Sequence, residues 1–310
     1  MWFKNLTPFR FSQPFTLAPQ DLSAALSRDL FRPCTSQEMT THGWVSPLGR
    51  KAADLVHAVN GCLLICLQTE EKILPPAVVK EAVDARALAI EDREQRTVRR
   101  RERESIRDEV MQEFLPRAFA RSRLTYAYVD CPGGWLVIDS ASPRAVEELT
   151  HRLRLALGTL AIVPPPVVKA PAATMTAWLA QGDLPGDFAL EDECELRDAG
   201  QAGGLIRCRG QDLGSEEILA HLQAGKQVTR LALTWNERLS FVLADDLGMR
   251  RLRFLDVVRE PLADLAVETV EQVFDAEYAL MTGELKLLLP RLLEIFGGEA
   301  DYNRSSSASG

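Results

Sequence analysis

Residues 76–113 read PAVVKEAVDARALAIEDREQRTVRRRERESIRDEVMQE, and how that stretch folds decides the architecture of the whole chain. After Pro76 it holds no Gly and no Pro, and it is dominated by Ala, Glu and Arg, all strong helix formers. It predicts one helix of about 38 residues, with or without an interruption, which at 1.5 Å per residue would be about 57 Å long. A rod of that length cannot lie wholly on a small domain. Val78, Ala82, Ala85 and Ala89 mark the half expected to dock on the body, and the charged second half is expected to project into solvent.

The projecting half carries Arg93, Arg96, Arg100, Arg103 and Arg107 at spacings of 3, 4, 3 and 4. At 100° per residue the five fall within about an 80° sector of one helix. Two readings compete. A charged helix face is usually a solvated one, laced with Glu–Arg pairs worth about 0.2–0.5 kcal/mol each. Five guanidinium groups on one face are also what a surface that contacts phosphates requires.

Working outward, residues 2–11 alternate like a strand, 21–31 read as a helix, and Gly43 and Gly49 sit in a turn-rich stretch. A short helix is expected at 52–59, then a buried strand at 62–68. Beyond the long helix, 124–130 and 135–139 read as a hairpin closed by Pro132-Gly133-Gly134, with a helix at 143–157 and a strand at 160–163. Pro164, Pro165 and Pro166 form the best linker in the chain. Helices at 172–181 and 215–224, five strands between 188 and 258, and a long helix at 267–296, with a kink possible at Pro290, complete the second half. The expected fold is α+β, with mixed sheets and helices. Residues 1–75 together with 114–163 form one domain, 76–113 a projecting region, 167–300 a second domain and 301–310 a tail.

The 310 residues carry 44 acids and 36 bases, a net −8, which is the wrong sign for a protein that coats nucleic acid. The distribution is less adverse. Residues 93–123 hold ten Arg against six acids, a local +4, whereas 261–301 hold nine acids against Lys286 and Arg291, or −7. A second basic set, Arg207, Arg209, Lys226, Arg230, Arg238, Arg250, Arg251 and Arg253, lies on or beside the strands of the second half. Arg251 and Arg253 alternate with Leu252 and Phe254 and should project together. No helix-turn-helix, zinc finger or RNP string is present, so DNA contact should fall on phosphates and be independent of sequence.

Catalytic templates do poorly. Gly225-Lys226 is followed by Gln227, and Ala220 stands where a phosphate loop needs its first Gly. GxGxxG, HExxH and GxSxG strings are absent. Glu70-Glu71-Lys72 at a strand end, with Asp54 upstream, is the remaining enzymatic signal, because an E-x-K of this kind holds Mg²⁺ in many nucleases. Three charges after a strand are more often its solvated end. Six dispersed cysteines without a CxxC pair, and four dispersed histidines, point to reduced thiols and to no metal or cofactor. The apolar run 62–67 is far short of the about 20 residues a membrane span needs, and the N-terminus lacks a signal-peptide pattern, so a cytoplasmic protein is expected.

The strings MWFKNL, PCTSQEM with GWVSPLG, NGCLLIC with EEKILP, RDEV, LPRAF, GGLIRCRGQDLGSEEI, AGKQVTRLALTWNERLSFVLADD, FDAEYALMTGEL and FGGEA, in this order, resemble RdgC, the bacterial recombination-associated proteins. The similarity runs from Met1 to about Ala300. It implies a homodimer closed into a ring around duplex DNA, which binds double and single strands without sequence preference and restrains RecA by limiting its access to DNA. It further implies association with the nucleoid and no enzymatic activity. On this resemblance the dimer contacts are expected at Phe119, within LPRAF, and at Gln211. Burial of Phe119 in its own core remains an equal reading. Family members often carry Lys just before that Gln; here it is Gly210, which leaves Arg207 and Arg209 to supply charge. The DNA-contacting set is then Arg93, Arg96, Arg100, Arg103, Arg107, Arg207, Arg209, Lys226, Arg230, Arg251 and Arg253. A Mg²⁺-dependent nuclease using Glu70 and Lys72, and a protein-only scaffold that binds the recombinase, are the alternatives.

Overall fold

The computed structural model describes residues 1–49, 52–198, 203–263 and 269–300, and the expected tail at 301–310 lies outside them. The first half runs β1 (Thr7–Phe11), α1 (Pro19–Leu26), β2 (Thr40–Val45), β3 (His57–Val59), β4 (Cys62–Ile73), α2 (Pro76–Glu94), α3 (Arg100–Phe114), β5 (Phe119–Asp130), β6 (Trp135–Ile138), α4 (Pro143–Leu157) and β7 (Ile162–Val163). The second runs α5 (Pro171–Gln181), β8 (Phe188–Asp198), β9 (Leu205–Arg209), α6 (Glu216–Gln223), β10 (Lys226–Trp235), β11 (Leu239–Ala244), β12 (Met249–Phe254), α7 (Asp256–Ala263) and α8 (Val270–Ile295). Strands β1 to β7 make a seven-stranded sheet in the order β2-β4-β5-β6-β1-β7, with β3 also on β4, and the other five make a sheet in the order β12-β11-β10-β8-β9.

The fold is α+β, as expected. The strand pairings in both sheets are antiparallel, which corrects the expectation of mixed sheets.

The single long helix is also corrected. Gln95 takes a left-handed φ of 53° after α2, and the chain doubles back as α3, so 76–114 is an antiparallel helical hairpin. Val79, Val83 and Ala87 of α2 meet Ile106 and Val110 of α3 in a small core of their own. Arg86–Glu113 and Arg103–Asp84 ion pairs tie the two helices. Because the hairpin returns the chain to the end where it left, β4 and β5 pair antiparallel over twelve residues, from Cys62 opposite Asp130 to Ile73 opposite Phe119.

Gly43, expected in a turn, lies within β2, and residues 57–59, expected in a helix, form β3. Residues 62–69 of β4 are buried without a break, and the two-residue period of the strand divides its apolar side chains between two cores. Cys62 and Leu64 join a core shared with the second sheet, while Leu63, Ile65 and Leu67 face the core covered by Leu22 and Leu26 of α1 and Leu149 and Leu153 of α4.

Helix α8 links the two sheets. Its Tyr278, Met281, Leu285 and Leu289 belong to the shared core with Tyr128 and Val137 of one sheet and Leu231 and Leu243 of the other. A capping box at Thr269 and Gln272 starts it, and it continues through Pro290. The N-terminal segment is a second link, because Leu6 and Met249 exchange backbone hydrogen bonds of 2.8 and 2.9 Å before β1 enters the first sheet.

Candidate nucleic-acid interface

Alternation on the five-stranded sheet sends Cys194, Leu196, Leu231, Leu233, Phe241 and Leu243 into the shared core. The opposite face therefore receives Glu193, Glu195 and Arg197 of β8, Arg207 and Arg209 of β9, Arg230 of β10, and Arg251 and Arg253 of β12. Glu195 is only 5% exposed, and its carboxylate is the hub of the face. Arg207 donates from Nε at 2.9 Å, Arg230 Nη1 lies 3.4 Å away, and Arg197 Nη2 lies 3.5 Å from the other oxygen. Thr229 Oγ1 adds a contact of 3.3 Å. Burial alone would raise the Glu195 carboxyl, but the Arg207 and Arg230 guanidiniums outweigh it and hold the group below the usual carboxylate range.

Glu193, two residues earlier on the same strand, gathers Arg209, whose Nε lies 3.4 Å away, and Arg251. Arg251 has a φ of 52°, costly for a residue with a side chain, and sits where the β11–β12 register slips. Its N–H donates to Asn5 Oδ1 at 3.3 Å, so the N-terminal segment stabilises the bulge. Lys226 pairs with Asp198 at the end of β8.

Of the expected sheet residues, Arg207, Arg209, Arg230, Arg251 and Arg253 are thus brought onto one exposed face, with Lys226 at its end. Arg238 is drawn elsewhere: its Nε donates to Glu284 of α8 at 2.8 Å. Arg250 is half-buried and reaches the Leu6 carbonyl at 3.4 Å. Glu193, Glu195 and Arg197 were not among the expected residues. The E-x-E-x-R alternation of 193–197 was the available signal.

The arginine stripe of 93–107 does not survive as one helix face. Arg93 lies in the last turn of α2, Arg96 lies in the turn between the helices, and only Arg100, Arg103 and Arg107 share α3. Most of them are paired: Arg93 with Glu94 at 2.9 Å, Arg96 with Glu94 and Glu102, Arg100 with Glu104 at 3.2 Å and Arg103 with Asp84. Exposed pairs of this kind contribute little to stability and are screened by salt. Arg100, Arg103, Arg107 and Lys80 border a groove of about 540 Å³ between the two helices, floored by Val79 and Val83.

Phe119 is 84% exposed at the first position of β5, which sets aside its burial in the protein's own core. It lies opposite the exposed Ile73, and residues 119–124 are exposed throughout. Gln211 is exposed in the loop after β9, among Glu191, Asp192 and Asp212. Gly210 has a φ of 65°, a conformation that disfavours a side chain such as Lys at this position.

Glu70 and Lys72 are engaged structurally. Glu70 accepts hydrogen bonds from the Cys34 N–H at 2.8 Å and from Ser122 Oγ at 3.2 Å. Lys72 is buried and donates to the carbonyls of Ser36 and Leu115 at 2.8 and 2.9 Å. Among the described residues there is no group of three or more His, Cys, Asp or Glu arranged to hold a metal ion, and no helix long and apolar enough to cross a membrane.

The fold and this surface define a two-sheet α+β protein whose most elaborated feature is an arginine-rich sheet face organised by two carboxylates. The family model described as "Putative exonuclease, RdgC" matches residues 1–299. Relatives named recombination-associated protein RdgC include one from Tolumonas auensis, 45% identical over 299 residues, which are 96% of this chain and 99% of the relative. Another, from Halorhodospira halophila, is 47% identical over the same shares, and one from Yersinia enterocolitica is 42% identical over 97% of this chain and all of the relative. The chain belongs to the RdgC family of recombination-associated proteins.

Proposed function

We propose that the protein binds DNA through its phosphates, without reading bases, as a homodimer closed into a ring around the duplex. It also takes up single strands, acts at the nucleoid in the cytoplasm, and restrains RecA-type recombination by occluding the DNA on which the recombinase would assemble. No catalytic step and no cofactor is part of this role.

The observation that carries the reading is the outer face of the five-stranded sheet, where Arg197, Arg207, Arg209, Arg230 and Arg251 are held around two carboxylates and remain accessible. Guanidinium forks suit phosphate oxygens and are indifferent to base sequence. The second basic region, Arg93, Arg96, Arg100, Arg103 and Arg107 on the helical hairpin, and Lys226 and Arg253 on the sheet, extend the phosphate path. Phe119 and the exposed end of β5 serve one contact of the ring, and the Gln211 loop serves the other. The names of the relatives support a role in recombination.

Equilibrium binding to duplexes of unrelated sequence, measured at several salt concentrations, tests this. Neutralisation of about six phosphates gives a slope near −5 in log K against log[salt]. A flat salt dependence would overturn the phosphate reading, and inhibition of the recombinase at salt concentrations that abolish DNA binding would overturn occlusion.

A further inference from the structure

We propose that Glu195 is a positioning residue that holds Arg197, Arg207 and Arg230 as a three-guanidinium seat for one nucleic-acid phosphodiester. The proposal rests on the phosphate-binding reading above and deepens it. It assigns Arg197 to the interface and gives an acidic residue a favourable part in binding an anion.

The three arginines come from three adjacent strands, β8, β9 and β10, and converge on one buried carboxylate. Their ion pairs among the described residues all go to Glu195, and through few of their nitrogens: Nη2 of Arg197, Nε of Arg207 and Nη1 of Arg230. The other nitrogens are left to a ligand, and each side chain is about half exposed, at 53%, 60% and 46%. Asp245, whose carboxyl feels Arg197 and Arg230, also feels Asp246, which pairs with Arg250. Four guanidiniums, of Arg197, Arg207, Arg230 and Arg250, set against the carboxylates of Glu195, Asp245 and Asp246 leave one positive charge, which matches a single phosphodiester.

Free arginine side chains lose rotamer freedom when a ligand immobilises them. Anchoring all three beforehand removes much of that cost, the general advantage of a preorganised site. A carboxylate 5% exposed also carries a desolvation penalty that an apolar residue would avoid. The sheet does not depend on it for cohesion, since the core beneath is made by Cys194, Leu196 and Leu231.

Glu195→Gln separates positioning from simple charge. The substitution removes a negative charge from the binding face, so a purely electrostatic surface would bind duplex DNA as tightly or more tightly, with an unchanged or steeper salt slope. Loss of the anchor predicts the opposite: affinity about tenfold weaker, and a salt slope shallower by about 1, on every sequence tested. Glu216→Gln, an exposed acid on α6, should not weaken binding. Thermal unfolding and circular dichroism verify the fold of each variant. Should Glu195→Gln unfold, Arg197→Ala decides, because this exposed side chain can be removed without disturbing the core; it should lower affinity several-fold and flatten the slope by about 1. Unchanged or tighter binding by folded Glu195→Gln overturns the positioning role, as does unchanged binding by Arg197→Ala. The underlying reading fails separately, if Arg207→Ala, Arg209→Ala and Arg251→Ala together leave DNA affinity unaltered.

Discussion

A Cβ placed on Gly43 would fall 2.3 Å from the Cα of Phe31, because a parallel bridge draws residues 30–31 against β2. The Phe31 N–H donates to the Trp44 carbonyl at 3.1 Å, so the approach is backbone on backbone and has no flexible side chain to yield. Gly43→Ala should therefore destabilise the fold by about 3 kcal/mol, at the upper end of overpacking effects. Chemical denaturation reads this directly. A change below about 1 kcal/mol would show that the 30–31 segment can move away without loss.

Gly43 also shows why parts of the fold were hard to read from the sequence. A glycine in a strand and a glycine in a turn look alike when the segment that needs the space lies twelve residues away. The distal half of β5 was missed because residues 119–124 face solvent throughout, which erases apolar alternation, and that of β4 because its buried residues there, Thr69 and Lys72, are polar. The helical hairpin was legible in a signal that propensity does not use. Val83 and Ile106 are 23 positions apart, which on one continuous helix places them about 140° from each other. Only a chain that folds back can bury both together. The arginines of the second sheet were legible by alternation, but their organisation around Glu193 and Glu195 depends on pairing between strands.

Arg291 of α8 grips Asp187, at the foot of β8, with Nε at 2.8 Å from one oxygen and Nη2 at 2.9 Å from the other. The hydrogen bonds from Arg291 hold the Asp187 carboxyl below the usual range. A carboxyl depressed in the folded state adds stability that is fully present above its unfolded pKa, about 3.9, and is lost as pH falls through the lowered folded value. Asp187→Asn should cost about 2 kcal/mol at pH 7 and flatten the loss of stability below about pH 4. Unfolding curves between pH 7 and pH 2.5 check this; identical acid profiles for the two proteins would discount the clamp.

The six cysteines are free and fall into two groups. Burial pushes the Cys62 thiol up to about 11 and those of Cys66 and Cys194 up to about 12. The thiolate is the reactive form, so these three should resist alkylation in the native protein. Cys34 and Cys208, both half-buried, should be modified first by iodoacetamide at pH 8, with the buried three following only on denaturation. Mass spectrometry of the labelled peptides gives the order, and modification of Cys66 as fast as Cys208 would contradict the packing of β4.

Phe119 presents an aromatic ring to solvent opposite Ile73, at the start of a strand whose residues 119–124 are all exposed. If this end of β5 is a ring contact, Phe119→Asp should place a charge in an apolar contact and open that interface. Sedimentation at graded concentration should show weaker self-association, and binding to closed circular DNA should become less resistant to salt. Unchanged self-association would remove Phe119 from the interface.

Lys72 is the sharpest test of whether Glu70-Glu71-Lys72 serves structure or chemistry. Its ammonium is buried and donates to the carbonyls of Ser36 and Leu115, which ties the segment before β2 and the end of the helical hairpin to β4. Lys72→Met keeps the aliphatic stem but leaves both carbonyls without that donor, so stability should fall by about 2–3 kcal/mol. DNA affinity of the folded protein should be unaltered, because the ammonium is not presented to solvent. Glu70→Gln should be milder, since an amide oxygen can still accept from the Cys34 N–H. A metal-dependent nuclease demands the reverse pattern, with folding little changed and Mg²⁺-dependent release of nucleotides from linear duplex abolished in both variants. That pattern would move Glu70 and Lys72 from the fold to the reaction.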